Sequence, residues 1–210
     1  MIYLIGGPPR SGKTTLAKAL AKKKSIPYFS MDHVTSIITP YISKKAIKNR
    51  LPLRMARQET NYSNDTFYAR YSSKKVIGLY LRQAQTFWPG IENFVKYAIQ
   101  DDHGLILEGW QITPRLASSL VTPENKEKIK VIFLYKIDPK EIISGLKSNK
   151  DKNDWAIKNT RCKETFPALA KMLSHFGTHI RVESKKHHFQ AINMDIDFKH
   201  RIKNALDELQ

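Results

Sequence analysis

Gly7-Pro8-Pro9-Arg10-Ser11-Gly12-Lys13-Thr14 is a complete G-x-x-x-x-G-K-T pattern, and its flanks decide the fold. Ahead of it lies Ile2-Tyr3-Leu4-Ile5, an apolar run with the length of a buried strand. Behind it, Thr14 to Lys24 places Leu16, Ala17, Leu20 and Ala21 at helical spacing. Strand, glycine loop and helix in that order are the setting a phosphate-binding loop requires. Glycines let successive backbone N–H groups turn inward around an anion, and the helix N-terminus adds about half a positive charge behind them. The stretch Gly7, Pro8, Pro9, Arg10, Ser11, Gly12, Lys13, Thr14 and Thr15 is therefore expected to hold the phosphates of ATP. Lys13 would reach the β- and γ-phosphates, and the Thr14 hydroxyl would ligate Mg²⁺. The alternative, a chance glycine-rich turn, does not account for both flanks.

Length and composition bound the rest. A chain of 210 residues with 41% hydrophobic and 10% aromatic content suits one domain, residues 1–210, around a shared core. No apolar stretch reaches the roughly 18 residues that read as a membrane span. The N-terminus enters the first strand directly, so no signal peptide is expected. The single cysteine, Cys162, excludes an internal disulfide and fits a reducing compartment. A cytoplasmic location without membrane contact is the expectation, as a monomer or a homodimer. Thirty-six Lys plus Arg against nineteen Asp plus Glu give a net charge of +17, which favours anionic partners. Those lysines are spread along the chain, as at Lys22-Lys23-Lys24 and Lys74-Lys75, and much of the charge would simply solvate helix surfaces. Nucleic acid stays open as a partner, with no recognised binding module to support it.

Beyond the first helix the chain alternates. Ile26 to Phe29, Leu105 to Leu107, Lys130 to Tyr135 and, more weakly, His188 to Asn193 read as strands. Helical patterns fill about 74–100, 139–148, 161–186 and 197–209, with Gly177 a candidate break. Such alternation predicts an α/β fold, three layers αβα, around a five-stranded mainly parallel sheet with ligands at the strand C-terminal ends. Two polar, basic insertions interrupt it, at about 40–75 and 147–162.

Acids stand where such a sheet opens. Asp32, just past the second strand in Ser30-Met31-Asp32-His33, is placed to accept the proton of an attacking hydroxyl or to hold the Mg²⁺ shell. Its other reading is an N-cap for a helix running from His33. Glu108, in Leu107-Glu108-Gly109-Trp110, closes the third strand and would contact metal or substrate. Asp138, followed by Pro139, reads as a helix cap and is left out of the site. In the second insertion, Lys147 to Arg161 is expected to form a lid, with Trp155 anchoring it and the forked guanidinium of Arg161 on the triphosphate. The first insertion would supply the acceptor site. Arg54 and Arg57 among its arginines, with Tyr62, Phe67, Tyr68 and Tyr71, suit a phosphorylated or aromatic small molecule, together with Trp110. These aromatics equally suit the core of a helical cap.

The phosphate loop, Asp32, Glu108-Gly109 and the basic segment before a long helix together resemble the small P-loop metabolite kinases. That superfamily includes adenylate, shikimate and gluconate kinases and the zeta-toxin-type kinases. Ile5-Gly6-Gly7, Ser30-Met31-Asp32 and Leu107-Glu108-Gly109-Trp110-Gln111-Ile112-Thr113-Pro114 look most like 2-phosphoglycerate kinases and uncharacterised ATPase relatives. The resemblance implies the P-loop NTPase fold with a helical substrate-binding insertion and a lid. It implies transfer of the γ-phosphoryl of Mg-ATP to a small hydroxyl or phosphate acceptor, Asp32 as catalytic acid and Arg161 as lid arginine. The chain departs from adenylate kinases in carrying Gln111 where Asp-Gly-Phe-Pro-Arg runs on, and from shikimate kinases in carrying Val34 where a second acid stands. A polynucleotide 5′-hydroxyl kinase and a nucleotide-driven hydrolase or switch remain the competing readings.

Overall fold

Side-chain alternation along the strands sets the layers. In the computed structural model, which describes residues 1–148, 151 and 154–209, β1 (Ile2–Gly6) sends Ile2 and Leu4 to one face and Tyr3 and Ile5 to the other. β3 (Leu105–Gly109) and β4 (Ile129–Tyr135) repeat the division. Leu105, Leu107, Ile129 and Phe133 join the first face, and Ile106, Ile132 and Leu134 join the second. On the first face pack α6 (Ser73–Gln100), α7 (Pro114–Leu120), α8 (Pro139–Lys147) and α10 (Thr165–Lys186). On the second pack α1 (Lys13–Lys24) and α11 (Phe198–Glu208). Covering both faces is why these strands are continuous apolar runs.

β2 (Tyr28–Ser30) and β5 (Gln190–Asn193) complete a sheet ordered β2-β3-β1-β4-β5, in which every pairing is parallel. This is a three-layer αβα arrangement. Its register matters for the site. Gly6 faces Gly109 on one side and Phe133 on the other, and Ser30 faces Glu108. The chain segments leaving β1, β2 and β3 therefore emerge side by side at one edge.

Of the boundaries that differ from the sequence reading, three have a plain local reason. β2 starts at Tyr28 because Pro27 has no N–H to give the ladder. β5 starts at Gln190 because His188, at φ 58°, and Phe189, whose N–H bonds Ser184 O, still close the end of α10. α10 starts at Thr165 because the N–H groups of Arg161 and Cys162 are taken by the Asp65 carboxylate. Gly177 does not break that helix. A Cβ there would lie 1.9 Å from Lys136 O, so the glycine admits close packing of α10 on the segment after β4.

The first insertion folds as helices beyond the sheet edge. α2 (Met31–Ile38), α3 (Lys44–Arg50), α4 (Pro52–Gln58) and α5 (Asn64–Arg70) precede α6. Of the segment expected to form the lid, Asn149, Lys150, Lys152 and Asn153 lie outside the described residues, and α9 (Trp155–Lys158) follows them. Among the described residues no helix is long and apolar enough to cross a membrane.

Candidate functional site

The loop from Gly7 to Gly12 is shaped by three left-handed residues: Gly7 at φ 138°, Arg10 at φ 64° and Gly12 at φ 97°. A Cβ on Gly7 would fall 2.0 Å from Leu134 O, so only glycine lets the loop lie against β4. Lys13 opens α1 yet is 7% exposed, and its Nζ donates to Pro8 O at 2.7 Å, folding the cation back over the loop. Burial lowers the Lys13 pKa, and the charges of Glu108 and Asp32 oppose that shift. Ser11 Oγ is buried without a hydrogen-bond partner among the described residues. A cradle of turned amides, an unsatisfied hydroxyl and a cation suits the phosphates of a nucleotide.

Two acids meet this loop. Thr14 Oγ1 donates to Glu108 Oε1 at 3.0 Å, and Glu108 is 3% exposed at the end of β3. Asp32 lies in the first turn of α2, whose N-cap is Ser30, so it is not the cap of that helix. Its Oδ1 instead accepts from Trp110 Nε1 at 3.0 Å and from Gln111 Nε2 at 3.1 Å. Asp138 does cap its helix, accepting from Lys140 N at 2.8 Å. Thr14, Asp32 and Glu108 line one cavity with hard oxygen donors. Mg²⁺ keeps several waters and takes one or two carboxylates, so that donor set fits it. Among the described residues no group of three or more His, Cys, Asp or Glu could hold a metal unaided.

The cavity measures about 900 Å³. Its phosphate-loop end carries Pro9, Arg10, Gly12, Lys13, Thr14 and Thr15. Its other end lies under α4, α5 and α6, where Leu53, Arg57, Tyr68, Tyr80 and Trp110 form the wall. The Arg57 guanidinium sits 4.6 Å over Phe67 and donates through Nη2 to Asn64 Oδ1 at 2.8 Å, while Nη1 is buried without a partner among the described residues. Burial pushes the Tyr80 phenol up to about 12 and that of Tyr68 well above its usual value, so both stay neutral.

The described part of the second insertion closes the side. Asp154 pairs with Arg10, whose Nη2 also donates to Gly145 O at 3.3 Å. Asn64 Nδ2 donates to Trp155 O at 3.0 Å and to Thr160 Oγ1 at 2.9 Å, tying α5 to this segment.

Lys13, Thr14, Asp32, Arg57, Glu108 and Trp110 are thus brought to one cavity. The side chains of Arg54 and Arg161 are exposed and do not line it, although Arg161 N bonds Asp65 Oδ2 at 2.9 Å. Three residues escaped the sequence reading. Gln111 follows Trp110 in the segment after β3, but nothing in its sequence neighbours marks it as a partner of Asp32. Tyr80 looks like one more apolar-face residue of a long helix. Phe198 reaches the cavity from the start of α11, and no local pattern announces that.

By sequence, a model of the ATPase family associated with various cellular activities (AAA) matches residues 3–67, the part that holds β1, the phosphate loop and Asp32. No curated protein matches the chain. By structure, shikimate kinase from Bacteroides thetaiotaomicron superposes with a TM-score of 0.50 at 15% identity, over 100% of this chain and 96% of that one. Deoxyadenosine kinase from M. mycoides with bound dATP gives 0.48 at 14% identity, over 100% and 99%. The parallel sheet, its strand order and the shikimate kinase superposition show that the chain shares the three-layer α/β fold of that structure.

Proposed function

We propose that this chain moves the γ-phosphoryl group of Mg-ATP to a hydroxyl or phosphate oxygen of a small acceptor. One observation carries the reading: a single cavity joins the phosphate loop, the Asp32 carboxylate and an arginine-bearing aromatic recess. Residues 1–210 then act as one kinase domain, with about 40–75 as acceptor cap and about 147–162 as lid.

Each group has a task in that scheme. The loop amides and Lys13 hold the phosphates and offset the charge that builds on the leaving ADP. Thr14, Asp32 and Glu108 would hold Mg²⁺ directly or through its waters, which neutralises phosphate charge. For a hydroxyl acceptor, Asp32 takes the proton as the oxygen attacks the γ-phosphorus and the bond to the bridging oxygen breaks. Neutral phenols beside a half-buried guanidinium make the far recess positive, so an acceptor bearing a carboxylate or phosphate suits Arg57.

The test is ATP consumption against a panel of small hydroxylated and phosphorylated compounds, run beside end-labelling of an oligonucleotide. Turnover with a small anionic compound is expected. Tight, salt-sensitive oligonucleotide binding with 5′-phosphorylation would replace the small acceptor by nucleic acid.

A further inference from the structure

The loop after β3 does more at this site than line it. Register sets Ser30 of β2 opposite Glu108 of β3, so the residues that follow each strand meet directly. At that meeting two donors from one loop converge on one atom: Trp110 Nε1 and Gln111 Nε2 both bond Asp32 Oδ1. Among the described residues no hydrogen bond falls on Asp32 Oδ2, and Asp32 is exposed within the cavity lining.

Both donors are themselves held. The Trp110 ring meets Tyr80 edge to face, with centroids 4.9 Å apart at 89°, and Tyr80 rests on Phe176 at 5.4 Å. Gln111 is fully buried, and its Oε1 has no hydrogen-bond partner among the described residues. A buried amide oxygen left unpaired is unfavourable, and an apolar side chain of the same size would avoid it. Turning the amide over would set its oxygen against the carboxylate, so the N–H towards Asp32 is the favourable orientation. The residue is costly as packing and useful as a donor.

We infer that Trp110 and Gln111 are positioning residues that lock the Asp32 carboxylate by Oδ1 and present Oδ2 to the acceptor hydroxyl. The inference rests on Asp32 acting as the base. An Asp side chain on a first helical turn has two free torsions, and two bonds to one oxygen remove that freedom before substrate arrives. Trp110 also walls the acceptor end, so the acceptor that fits against its ring meets a base already aimed.

Two measurements on the full chain test this. The first is the indole N–H region of a ¹H–¹⁵N spectrum, where Trp88, Trp110 and Trp155 are the three tryptophans and Trp110→Phe assigns the relevant peak. Asp32→Asn is expected to move that peak and leave the other two in place. An unmoved Trp110 peak overturns the inference whatever the turnover. The second is ADP release from Mg-ATP. Trp110→Phe and Gln111→Met should each lower kcat about tenfold or more with ATP affinity and Tm nearly unchanged, as expected when a reacting group is misaligned. In an Asp32→Asn background neither should lower kcat further, because the group they act through is already lost. Independent, additive losses in that background would overturn the inference. So would normal kcat in both single variants while Asp32→Asn is slow. Normal kcat in Asp32→Asn itself would remove Asp32 as the base, a separate failure.

Discussion

Lys13 concentrates the conflict between folding and binding in one side chain. Burial disfavours its charge, yet the Pro8 carbonyl and the nearby Glu108 and Asp32 keep the ammonium at the loop. Lys13→Ala removes a buried cation at the start of α1, where alanine is a good helix former, so the melting temperature should hold or rise slightly. Turnover should fall on the order of 10²- to 10³-fold, the loss typical of a missing electrostatic donor in a transition state. Nucleotide titration and ADP release on the variant check both halves, and unchanged affinity with unchanged turnover would remove the loop as the triphosphate site. At Asp32 the conservative change to Asn keeps an oxygen and loses the charge. Turnover about 10²-fold slower with little change in Tm is the expected result.

Two features of α10 show how a long helix answers to what it packs on. Gly177→Ala would raise intrinsic helix propensity by about 0.5–1 kcal/mol. The new Cβ would meet Lys136 O at 1.9 Å. That backbone is pinned nearby, with Ile137 N and Asp138 N on the Asp195 carboxylate and Ser174 Oγ donating to Ile137 O at 2.6 Å. Overpacking of this kind costs roughly 1–3 kcal/mol, so the sum is destabilising and a lowered urea midpoint is expected. His179, two residues on, is half-buried, and burial holds its pKa below the usual 6.5, with Glu183 pulling it back. The folded chain then binds fewer protons than the unfolded one. The associated stability is complete above about pH 6.5 and is lost as pH falls through the lower folded value. Urea unfolding at about pH 7.5 and about pH 5.5 should show this loss. His179→Gln should flatten the difference, and an equal slope in both proteins would assign it to other groups.

At the scale of the molecule, the site depends on distant segments tied to each other. Asn64 links the first insertion to Trp155 and Thr160, Asp65 takes the N–H groups of Arg161 and Cys162, and Arg10 joins the glycine loop to Asp154. The two insertions and the glycine loop are expected to tighten as one when nucleotide and acceptor bind. Hydrogen exchange across 154–162 should be fast in the free protein and slow with an ATP analogue plus acceptor. Arg161→Ala should reduce turnover more than nucleotide affinity if closure carries that side chain to the triphosphate. Normal turnover there, with loss in Arg10→Ala, would assign the phosphate clamp to Arg10.

The phosphate loop, the alternating architecture and the two acids at the sheet edge were legible in the sequence. Each follows from short-range rules: glycine freedom, apolar period, and residues at strand ends. The strand order required the three-dimensional structure, because alternation implies parallel strands and periodicity says which face a residue takes, but neither says which strand lies beside it. The same holds for the partners at the site. Trp110 and Gln111 reach Asp32 across 78 and 79 positions, and Asn64 reaches Trp155 across 91. The sequence puts Arg57 at the acceptor and Arg161 on the triphosphate, yet only Arg57 lines the cavity, and Arg161 is exposed. What a side chain can do was written locally. Which side chain it does it with was decided by packing, since hydrogen-bond geometry is met only after the sheet register and the helix layers have brought distant loops within about 3 Å of each other.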